Sequence, residues 1–217
     1  MSSFCPLNIN LQGRKCLIIG GGVVALRKAK LMLGYGAVVT VVSPYLVKEL
    51  QELINERQIA YLADIYRPAY LQQKFIVICA TDDPQVNRSA AAACRERGIL
   101  VNSVSEPENC TIFFPAQFRK GALSIAVSTD GSSPALARRL KNELQEQTDP
   151  AYAEFTLFLK NIRPRVIATI ENSAKRRAVL EYLAGERFFN AFKKTDPADL
   201  KSLIEKILSG EAEFDIE

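Results

Sequence analysis

The sequence predicts an α/β fold in three parts: a parallel-sheet domain at residues 1–112, a small mixed region at 113–148 and a helical domain at 149–217. Two observations predict it. In the first part, short apolar runs alternate with stretches of helical periodicity, an order that implies right-handed strand–helix–strand units and therefore a parallel sheet. From residue 149 onward, the recurring pattern is that of amphipathic helices.

The elements of the parallel-sheet domain are predicted from apolar, β-branched runs that are bounded by glycine, proline or polar residues. Gly34 and Gly36 end the first helix, and the polar residue before Pro84 marks the start of the third. The predicted strands are 15–19, 37–42, 59–62, 74–80 and 99–104, and the predicted helices are 23–33, 45–57 and 84–97.

The pattern changes after Pro107. Residues 111–114 and 122–128 have the composition of strands, with a turn between them at 117–121, and this pair favours an extension of the sheet. A strong helix follows at 134–147, for which Ser133 is the expected N-cap. Further helices are predicted at 173–183 and 197–208, and before them in a stretch whose apolar face consists of Leu157, Phe158, Ile162, Val166, Ile167 and Ile170.

Composition limits the class of protein. Of the 217 residues, 48% are hydrophobic and 24% are charged, and the net charge of +4 is scattered, with no run of five basic residues. This pattern does not indicate binding to nucleic acid or to a membrane. The first eleven residues lack a basic stretch followed by an apolar one, and no apolar run reaches about 18 residues. We therefore expect a cytoplasmic protein.

The chain has no histidine and five cysteines. The lack of imidazole excludes the Ser-His-Asp triad, the zinc-hydrolase sites and histidine acid–base chemistry. Proton transfer must then use carboxylates, tyrosine, lysine, cysteine or water. No two cysteines form a CxxC pair, so neither a disulfide framework nor a bound metal is expected. Cys16 and Cys79 lie in apolar runs, where cysteine behaves as a small hydrophobic residue.

A glycine-rich turn joins the first predicted strand to the first helix. Residues 20–25 read GGGVVA, which puts Gly20, Gly22 and Ala25 at the spacing G-x-G-x-x-A. A dinucleotide-binding fold needs small residues here for a tight turn, for close approach of the pyrophosphate and for helix–strand packing, and the helix N-terminus offers N–H groups to the phosphates. The motif therefore predicts dinucleotide binding, with a glycine turn that binds no ligand as the alternative.

The end of the second predicted strand leaves the choice between NAD and NADP open. Many dinucleotide folds carry Asp or Glu at this place to hold the ribose hydroxyls, whereas this chain reads Ser43-Pro44-Tyr45. The hydroxyl of Ser43 is able to hydrogen-bond a ribose, but it does not repel a 2′-phosphate as a carboxylate would. No arginine lies beside it.

Five motifs in a fixed order give the chain a specific resemblance. They read GGGVVALRK at 20–28, GAVVTVVSP at 36–44, ATDDPQVN at 80–87, VN at 101–102 and STDGSSPALAR at 128–138. Together they resemble the precorrin-2 dehydrogenase/sirohydrochlorin ferrochelatase family, to which the N-terminal domain of sirohaem synthases is similar. The helical remainder resembles the family more loosely.

The resemblance implies a Rossmann-like domain, a dimerisation region and a helical tail, assembled as a homodimer. It also implies NAD-dependent oxidation of precorrin-2 to sirohydrochlorin, and in some members insertion of Fe²⁺ to give sirohaem. Asp82 and Asp83 have the alternative role of capping a helix. The motif and the resemblance together predict these cofactor-binding residues: Gly20, Gly22, Val23, Val24, Ser43, Pro44, Tyr45, Thr81 and Asp82.

One position departs from the family's pattern. The family usually carries an Asp after its VNxV segment that is implicated in both dehydrogenation and chelation, and this chain has Ser105 there. An unassisted serine hydroxyl does not accept a proton at neutral pH. Glu106 is the nearest carboxylate, but a regular strand would direct it to the opposite face unless a turn redirects it. Ser105 and Glu106 are therefore the candidate catalytic residues, and we expect dehydrogenation to survive and chelation to be weakened.

The segment 128–134 is a candidate for binding the substrate. Its hydroxyls and the following helix N-terminus suit the carboxylates of a tetrapyrrole, and an arginine one turn later is placed to join them. The alternative is a capped helix at a dimer interface. The predicted substrate-binding residues are Asn102, Ser128, Thr129, Ser132, Ser133 and Arg138.

Two other functions are open at this point. The first is a dinucleotide-binding sensor or scaffold of tetrapyrrole metabolism that has lost catalysis, and Ser105 is the residue that favours it. The second is an oxidoreductase of the same fold with another substrate, which the joint presence of five motifs disfavours.

Overall fold

The computed structural model describes residues 4–209. The chain forms two compact units that divide between Phe114 and Pro115. The predicted regions 113–148 and 149–217 thus lie almost entirely within the second unit. Among the described residues, no helix combines the length and the apolar character needed to cross a membrane.

The first unit is built on a parallel sheet, which confirms the predicted fold class. All pairings in this sheet are parallel, and its two central strands are buried over nearly their whole length. Burial on both faces explains why the central strands read as unbroken apolar runs. The strands are β1 (Lys15–Ile19), β2 (Val38–Val42), β3 (Ala60–Leu62), β4 (Ile76–Cys79) and β5 (Leu100–Ser103).

The strand order β3-β2-β1-β4-β5 places a topological switch point between β1 and β4. From β1 the chain moves outward to β2 and β3, and it then crosses back to add β4 and β5 on the other side of β1. In open parallel sheets, ligands bind in the crevice at the carboxyl ends of the strands beside such a point. Gly20 follows β1 and Ala80 follows β4, so these two residues border the crevice.

Helices cover the two faces of the sheet, and a separate apolar core lies under each face. Helix α1 spans Val23–Gly34 and packs on β1 and β2, while α3, Pro84–Glu96, packs on β4 and β5. Helix α2 is shorter than predicted, at Lys48–Asn55, because residues 43–47 form a loop beside the glycine turn. Short 3₁₀ turns occur at Pro68–Leu71 and Pro107–Asn109.

The second unit begins with a β-hairpin, where the sequence prediction is wrong in three respects. The turn predicted at 117–121 lies further along, because residues 117–120 belong to a strand. Strands β6 (Ala116–Lys120) and β7 (Leu123–Val127) form an antiparallel sheet of their own instead of extending the parallel one. The predicted strand at 111–114 is absent, because the amides of Thr111 and Ile112 both donate to the Val101 carbonyl and hold this stretch as a loop along β5.

The rest of the second unit is helical, as predicted. Helix α4 (Pro134–Gln147) packs on both strands of the hairpin. A core rich in phenylalanine lies among the later helices, and Phe155 contacts four other phenylalanine rings within it. The predicted apolar face of α5 is only partly buried, since Leu157 is 57% and Ile167 47% exposed. The later helices are α5 (Tyr152–Thr169), α6 (Ser173–Ala184), α7 (Glu186–Phe192) and α8 (Pro197–Ser209).

Candidate dinucleotide-binding site

The glycine turn after β1 has no space for side chains at its first two positions. Gly20 has φ of 122°, and a Cβ there would overlap the carbonyl oxygen of Ala80 on the neighbouring strand end. A Cβ on Gly21 would overlap the carbonyl oxygen of Tyr45 and lie 2.8 Å from the hydroxyl of Ser43. The turn therefore depends on glycine for its own packing, and Gly21, which the spacing motif leaves unspecified, is as constrained as Gly20.

The third glycine has a different environment. Gly22 is the N-cap residue of α1, no side chain caps this helix, and a Cβ there would meet nothing within 4 Å. Four other helices are capped by side chains: α3 by Asp83, α4 by Ser133, α6 by Asn172 and α8 by Asp196. The first amides of α1 thus remain available to an anion in open space, which fits the pyrophosphate of a dinucleotide.

Two apolar side chains stand exposed beside this helix end. Val23, the first residue of α1, is 73% exposed, and Tyr45, in the loop after β2, is 84% exposed. The loop is tied to the glycine turn by a hydrogen bond of 2.9 Å from the Val47 amide to the Gly21 carbonyl. The predicted cofactor residues Val23, Val24, Pro44 and Tyr45 therefore lie on segments that meet at one edge of the sheet.

Ser43 has a structural role that the sequence did not reveal. It is buried, and its hydroxyl donates to the Tyr45 carbonyl at 2.7 Å. Its own carbonyl accepts a hydrogen bond from the Tyr61 hydroxyl at 2.9 Å. Because the Ser43 hydroxyl donates its proton to the Tyr45 carbonyl, it is not free to donate to a ribose. The structure therefore does not support a contact in which Ser43 is the donor to the ribose.

Thr81 and Ser105 are joined through a buried asparagine that sequence reasoning did not select. Each of the two lies two residues beyond the end of its strand, β4 or β5. The side-chain amide of Asn87, on α3, donates to the Thr81 carbonyl at 2.9 Å and to the Ser105 hydroxyl at 3.1 Å. Its carbonyl oxygen accepts from the Thr81 amide at 3.2 Å and from the Thr81 hydroxyl at 2.9 Å. One side chain therefore links two neighbouring strand ends at the cleft.

A signal for Asn87 was present in the sequence. Asn87 lies three, four and seven residues before Ala90, Ala91 and Cys94, which are the other buried positions of α3. It is thus a polar residue on the apolar face of an amphipathic helix. A buried side-chain amide requires hydrogen-bond partners, and at the first turn of this helix those partners lie at the strand ends.

The two aspartates before α3 have separate roles. The carboxylate of Asp83 accepts from the amides of Gln85 and Val86 at 2.8 and 3.3 Å, so it caps the helix, as the alternative interpretation held. Asp82 is exposed and has no hydrogen-bond or ion-pair partner among residues 4–209. Asp82 is therefore a free carboxylate at the carboxyl edge of the sheet.

Glu106 is engaged in an ion pair in which its own carboxylate is buried and the arginine is exposed. Its carboxylate accepts from the Arg88 guanidinium at 2.7 Å and from the Asn109 side-chain amide at 2.7 Å. The hydrogen bond from Arg88 lowers the pKa of Glu106 below its usual value, and the bond from Asn109 acts in the same direction. A carboxylate whose pKa is lowered and whose oxygens are already bonded is a poor proton acceptor, so the geometry does not support the predicted catalytic role of Glu106.

Asn102 is a buried structural residue. Its side-chain amide donates to the Ile112 carbonyl at 3.1 Å and to the Cys110 sulfur at 3.6 Å. The Cys110 sulfur also accepts from the Ser103 amide at 3.1 Å. These bonds hold the chain after β5 and engage the amide nitrogen of Asn102. The contact between Asn102 and the substrate stays a prediction.

The other predicted substrate-binding residues belong to the second unit and form a compact turn. The hydroxyl of Thr129 donates to the Ser133 carbonyl and accepts from the Ser133 amide, both at 3.1 Å. The hydroxyl of Ser133 caps α4 by accepting from the Leu136 amide at 3.2 Å, as predicted. Three more residues, Ser128, Ser132 and Arg138, also belong to this turn or to the first turns of α4, and Ser132 and Arg138 are exposed.

Comparison with known families agrees with this geometry. A family model described as putative NAD(P)-binding matches residues 7–116, which is more than half of the chain. The chain belongs to this NAD(P)-binding family. A second model, described as the central part of a sirohaem biosynthesis protein, matches residues 120–147, from the β-hairpin to the end of α4. The resemblance inferred from the five motifs is thereby confirmed.

Curated relatives of this NAD(P)-binding chain are sirohaem synthases. The siroheme synthase of Chromobacterium violaceum is 36% identical over 203 residues, which cover 94% of this chain and 43% of the relative. That of Thioalkalivibrio sulfidiphilus is 39% identical over 180 residues, covering 83% of this chain and 37% of the relative. The chain thus spans less than half the length of these relatives.

A solved structure matches the chain along nearly its whole length. The precorrin-2 dehydrogenase SirC has a TM-score of 0.77 and 29% sequence identity to this chain, and the match covers 94% of this chain and 98% of SirC. The fold of the NAD(P)-binding unit and the presence of a helical region are therefore shared with a protein of similar size.

Proposed function

We propose that the protein oxidises precorrin-2 to sirohydrochlorin and uses NAD⁺ as the hydride acceptor. The observation that carries this proposal is the end-to-end match to SirC, a precorrin-2 dehydrogenase. The uncapped N-terminus of α1 beside the switch point supports it, because such a helix end is suited to bind the pyrophosphate of a dinucleotide.

Different segments of the first unit bind different parts of the dinucleotide in this proposal. The amides at the start of α1 would hold the pyrophosphate, and the exposed rings of Pro44 and Tyr45 would lie against the adenosine side. Thr81 borders the cleft on the other side of the switch point. When bound, NAD⁺ supplies a carbon that accepts the hydride, and these residues orient it toward the substrate.

Loss of the accompanying proton does not require Glu106 or an imidazole. Ser105 is exposed, so the proton has a direct route to water at this edge. The exposed carboxylate of Asp82 is another acceptor at this edge. Most of the rate should come from orientation of substrate and cofactor.

Two finer features belong to the same proposal. We infer a homodimer that uses the β-hairpin and α4, because the family resemblance implies a dimerisation region at 113–148 and the sirohaem central-region model matches 120–147. We also infer that insertion of Fe²⁺ as a substrate is weak, because Ser105 stands where the family carries its Asp. Sedimentation equilibrium tests the first inference and a metal-insertion assay tests the second.

The experiment is an anaerobic incubation of the purified chain with precorrin-2, NAD⁺ and a metal chelator, in which sirohydrochlorin is followed by absorbance. A parallel reaction with NADP⁺ measures the cofactor preference. Turnover above the reaction without enzyme is expected with NAD⁺. A Gly22→Ala variant is the matched control, since it should fold and yet lose dinucleotide-dependent turnover.

The second candidate function is a dinucleotide sensor or scaffold without catalysis, and Ser105 is the observation that favours it. Absence of turnover, from a folded chain that binds NAD⁺ in equilibrium dialysis, would establish this candidate over the dehydrogenase. Failure to bind either dinucleotide would contradict both.

A further inference from the structure

We propose that Asn87 is a positioning residue that presents the Ser105 hydroxyl to the bound ligand as a hydrogen-bond donor. The proposal rests on the proposed function, in that it assigns a role to two residues at the same cleft. It explains how a serine serves at a place where the family carries a carboxylate.

The orientation of the Asn87 amide follows from its neighbours. The backbone amide of Thr81 can only donate and its carbonyl can only accept, and they contact opposite ends of the Asn87 side chain, at 3.2 and 2.9 Å. The oxygen of Asn87 must therefore face the Thr81 amide, and the nitrogen must face the Thr81 carbonyl. Reversal of the side chain would put donor against donor and acceptor against acceptor in a fully buried place.

This orientation determines what Ser105 does. The amide nitrogen of Asn87 has a second proton, which it donates to the Ser105 hydroxyl oxygen. The distance between the nitrogen and that oxygen is 3.1 Å. The proton of Ser105 then has no acceptor in Asn87, whose oxygen already serves Thr81. Over residues 4–209, Ser105 makes no other hydrogen bond, and its side chain is exposed. The hydroxyl proton is therefore free to be donated outward.

A second contact from the same helix holds the turn that carries Ser105. Asn87 and Arg88 are consecutive on α3, and they bind the consecutive residues Ser105 and Glu106. The Glu106 carboxylate also accepts from Asn109 at 2.7 Å, which closes the turn on itself. Ser105 is thus held both through its own side chain and through its neighbour, so its hydroxyl has a defined position.

The ligand group that Ser105 recognises is an acceptor oxygen. A carboxamide oxygen of the nicotinamide and a carboxylate oxygen of the tetrapyrrole have this chemistry in common, and both would lie at the carboxyl edge of the sheet. Loss of one such hydrogen bond weakens binding by about three- to tenfold. Measurement of NADH and sirohydrochlorin affinities separately tells which ligand carries the oxygen.

The first test compares two changes at the exposed position. Ser105→Ala removes the donor and should raise the Kd of one of the two ligands by about three- to tenfold. Ser105→Thr keeps a hydroxyl in the same place and should restore most of that affinity. Ser105→Thr keeps the oxygen that accepts from Asn87 and should melt at nearly the temperature of the parent chain. Ser105→Ala leaves one proton of the buried Asn87 amide without its acceptor and should melt at a lower temperature, so the Kd values are compared well below the melting range of both variants.

The second test is a double-mutant cycle with Asn87→Ala. If Asn87 acts through Ser105, the combined effect of Asn87→Ala and Ser105→Ala on Kd and on kcat/KM should be less than the product of the single effects, by about threefold or more. Asn102→Ala is the matched control, because Asn102 is another buried asparagine of the first unit and its side-chain amide bonds Cys110 and Ile112 instead of Ser105. The effect of Asn102→Ala and Ser105→Ala together on Kd and kcat/KM should equal the product of the two single effects.

Two results would overturn the proposal: an unchanged Kd for both ligands and unchanged turnover in Ser105→Ala, or independent effects in the cycle with Asn87→Ala. Failure of the proposed function is distinguishable from either. If the parent chain neither turns over precorrin-2 nor binds sirohydrochlorin, the dehydrogenase is excluded, and the NADH affinities of the same variants then decide the role of Ser105 by themselves.

Discussion

The side-chain amide of Asn87 donates to the hydroxyl oxygen of Ser105 over 3.1 Å. Asn87 is fully buried within α3, whereas Ser105 is exposed beyond the end of β5. The bond therefore runs from the interior of the first unit to the edge of its cleft. Because Asn87 must donate here, position 105 should accept side chains that offer an oxygen, whether hydroxyl or carboxylate.

Replacement of Ser105 by Asp tests this requirement and the expectation about chelation together. The new carboxylate keeps an acceptor for Asn87, so the free energy of unfolding should stay within about 0.5 kcal/mol of the parent value. A carboxylate at the cleft can accept protons from the macrocycle as metal enters, so the initial rate of Co²⁺ or Fe²⁺ insertion into sirohydrochlorin should rise. No gain, in a variant that binds sirohydrochlorin normally, would show that Ser105 does not limit chelation.

Two neighbouring glycines of the turn should be needed for different reasons, Gly21 for folding and Gly22 for binding the dinucleotide. Gly21→Ala places a methyl group against the Tyr45 carbonyl, and such overpacking should cost about 1–3 kcal/mol of stability. The methyl group of Gly22→Ala meets no protein atom within 4 Å, but it would occupy the place proposed for a phosphate. The variant should melt like the parent chain and bind NADH at least about tenfold more weakly, which corresponds to about 1.4 kcal/mol. Equal NADH affinity in Gly22→Ala would place the pyrophosphate elsewhere.

The ion pair between Glu106 and Arg88 should make stability depend on pH. Because the pKa of Glu106 is lowered in the folded chain, its contribution is complete above the pKa of an unfolded glutamate and is lost as pH falls through the folded pKa. The difference in urea stability between the parent and Glu106→Gln should therefore be largest near neutral pH and shrink in acid. Arg88→Gln, which leaves a buried carboxylate without its cation, should destabilise more than Glu106→Gln.

The same Glu106→Gln variant also decides whether Glu106 is a general base. Loss of a general base usually costs about a hundredfold or more in rate. We expect the kcat of the folded variant to fall by less than about tenfold, as suits a residue that only holds a turn. A loss of about a hundredfold at full occupancy of both ligands would restore Glu106 to the catalytic residues.

The thiols should be unreactive in the folded chain except for one. Burial raises the pKa of Cys16 and of Cys94 to about 12 and also raises the pKa of Cys79 and Cys110. Because the thiolate is the reactive form, these four should resist iodoacetamide near pH 8, and the exposed Cys5 should be alkylated alone. Mass spectrometry should find one modification in native buffer and five in denaturant. Two or more in native buffer would indicate that the first unit opens.

Sequence reasoning succeeded where local pattern and tertiary environment agree. The bounds of β1 and of the helix from Pro134 to Gln147 were predicted to the residue. An apolar run between polar turns favours a buried strand, and a Ser-Pro pair favours the start of a helix, so local pattern and fold agree in both cases. The strand predicted at 111–114 failed because its amides pair with the Val101 carbonyl, a long-range contact that composition does not encode.

The candidate site was predictable in its backbone but less so in its side chains. The helix end at Gly22 follows from a motif, since the need for small residues is local. The occupation of Ser43, Asn102 and Glu106 by internal hydrogen bonds depends on partners that are near in space and specified by no local pattern. Asn87 carried a signal, a polar residue on an apolar helix face, that points to a buried network without naming its partners.

The separate cores of the two units have a consequence for cooperativity. Residues up to Phe114 and residues from Pro115 each bury their own apolar clusters, so heat does not have to melt the chain in one step. The proposed phosphate and adenosine contacts all belong to the first unit. A ligand present at a hundred times its Kd adds about 2.7 kcal/mol to the free energy of unfolding of the unit that binds it. Calorimetric scans with and without NADH therefore distinguish the two units. The transition whose midpoint temperature rises with NADH belongs to the first unit, and a transition whose midpoint is unchanged belongs to the second.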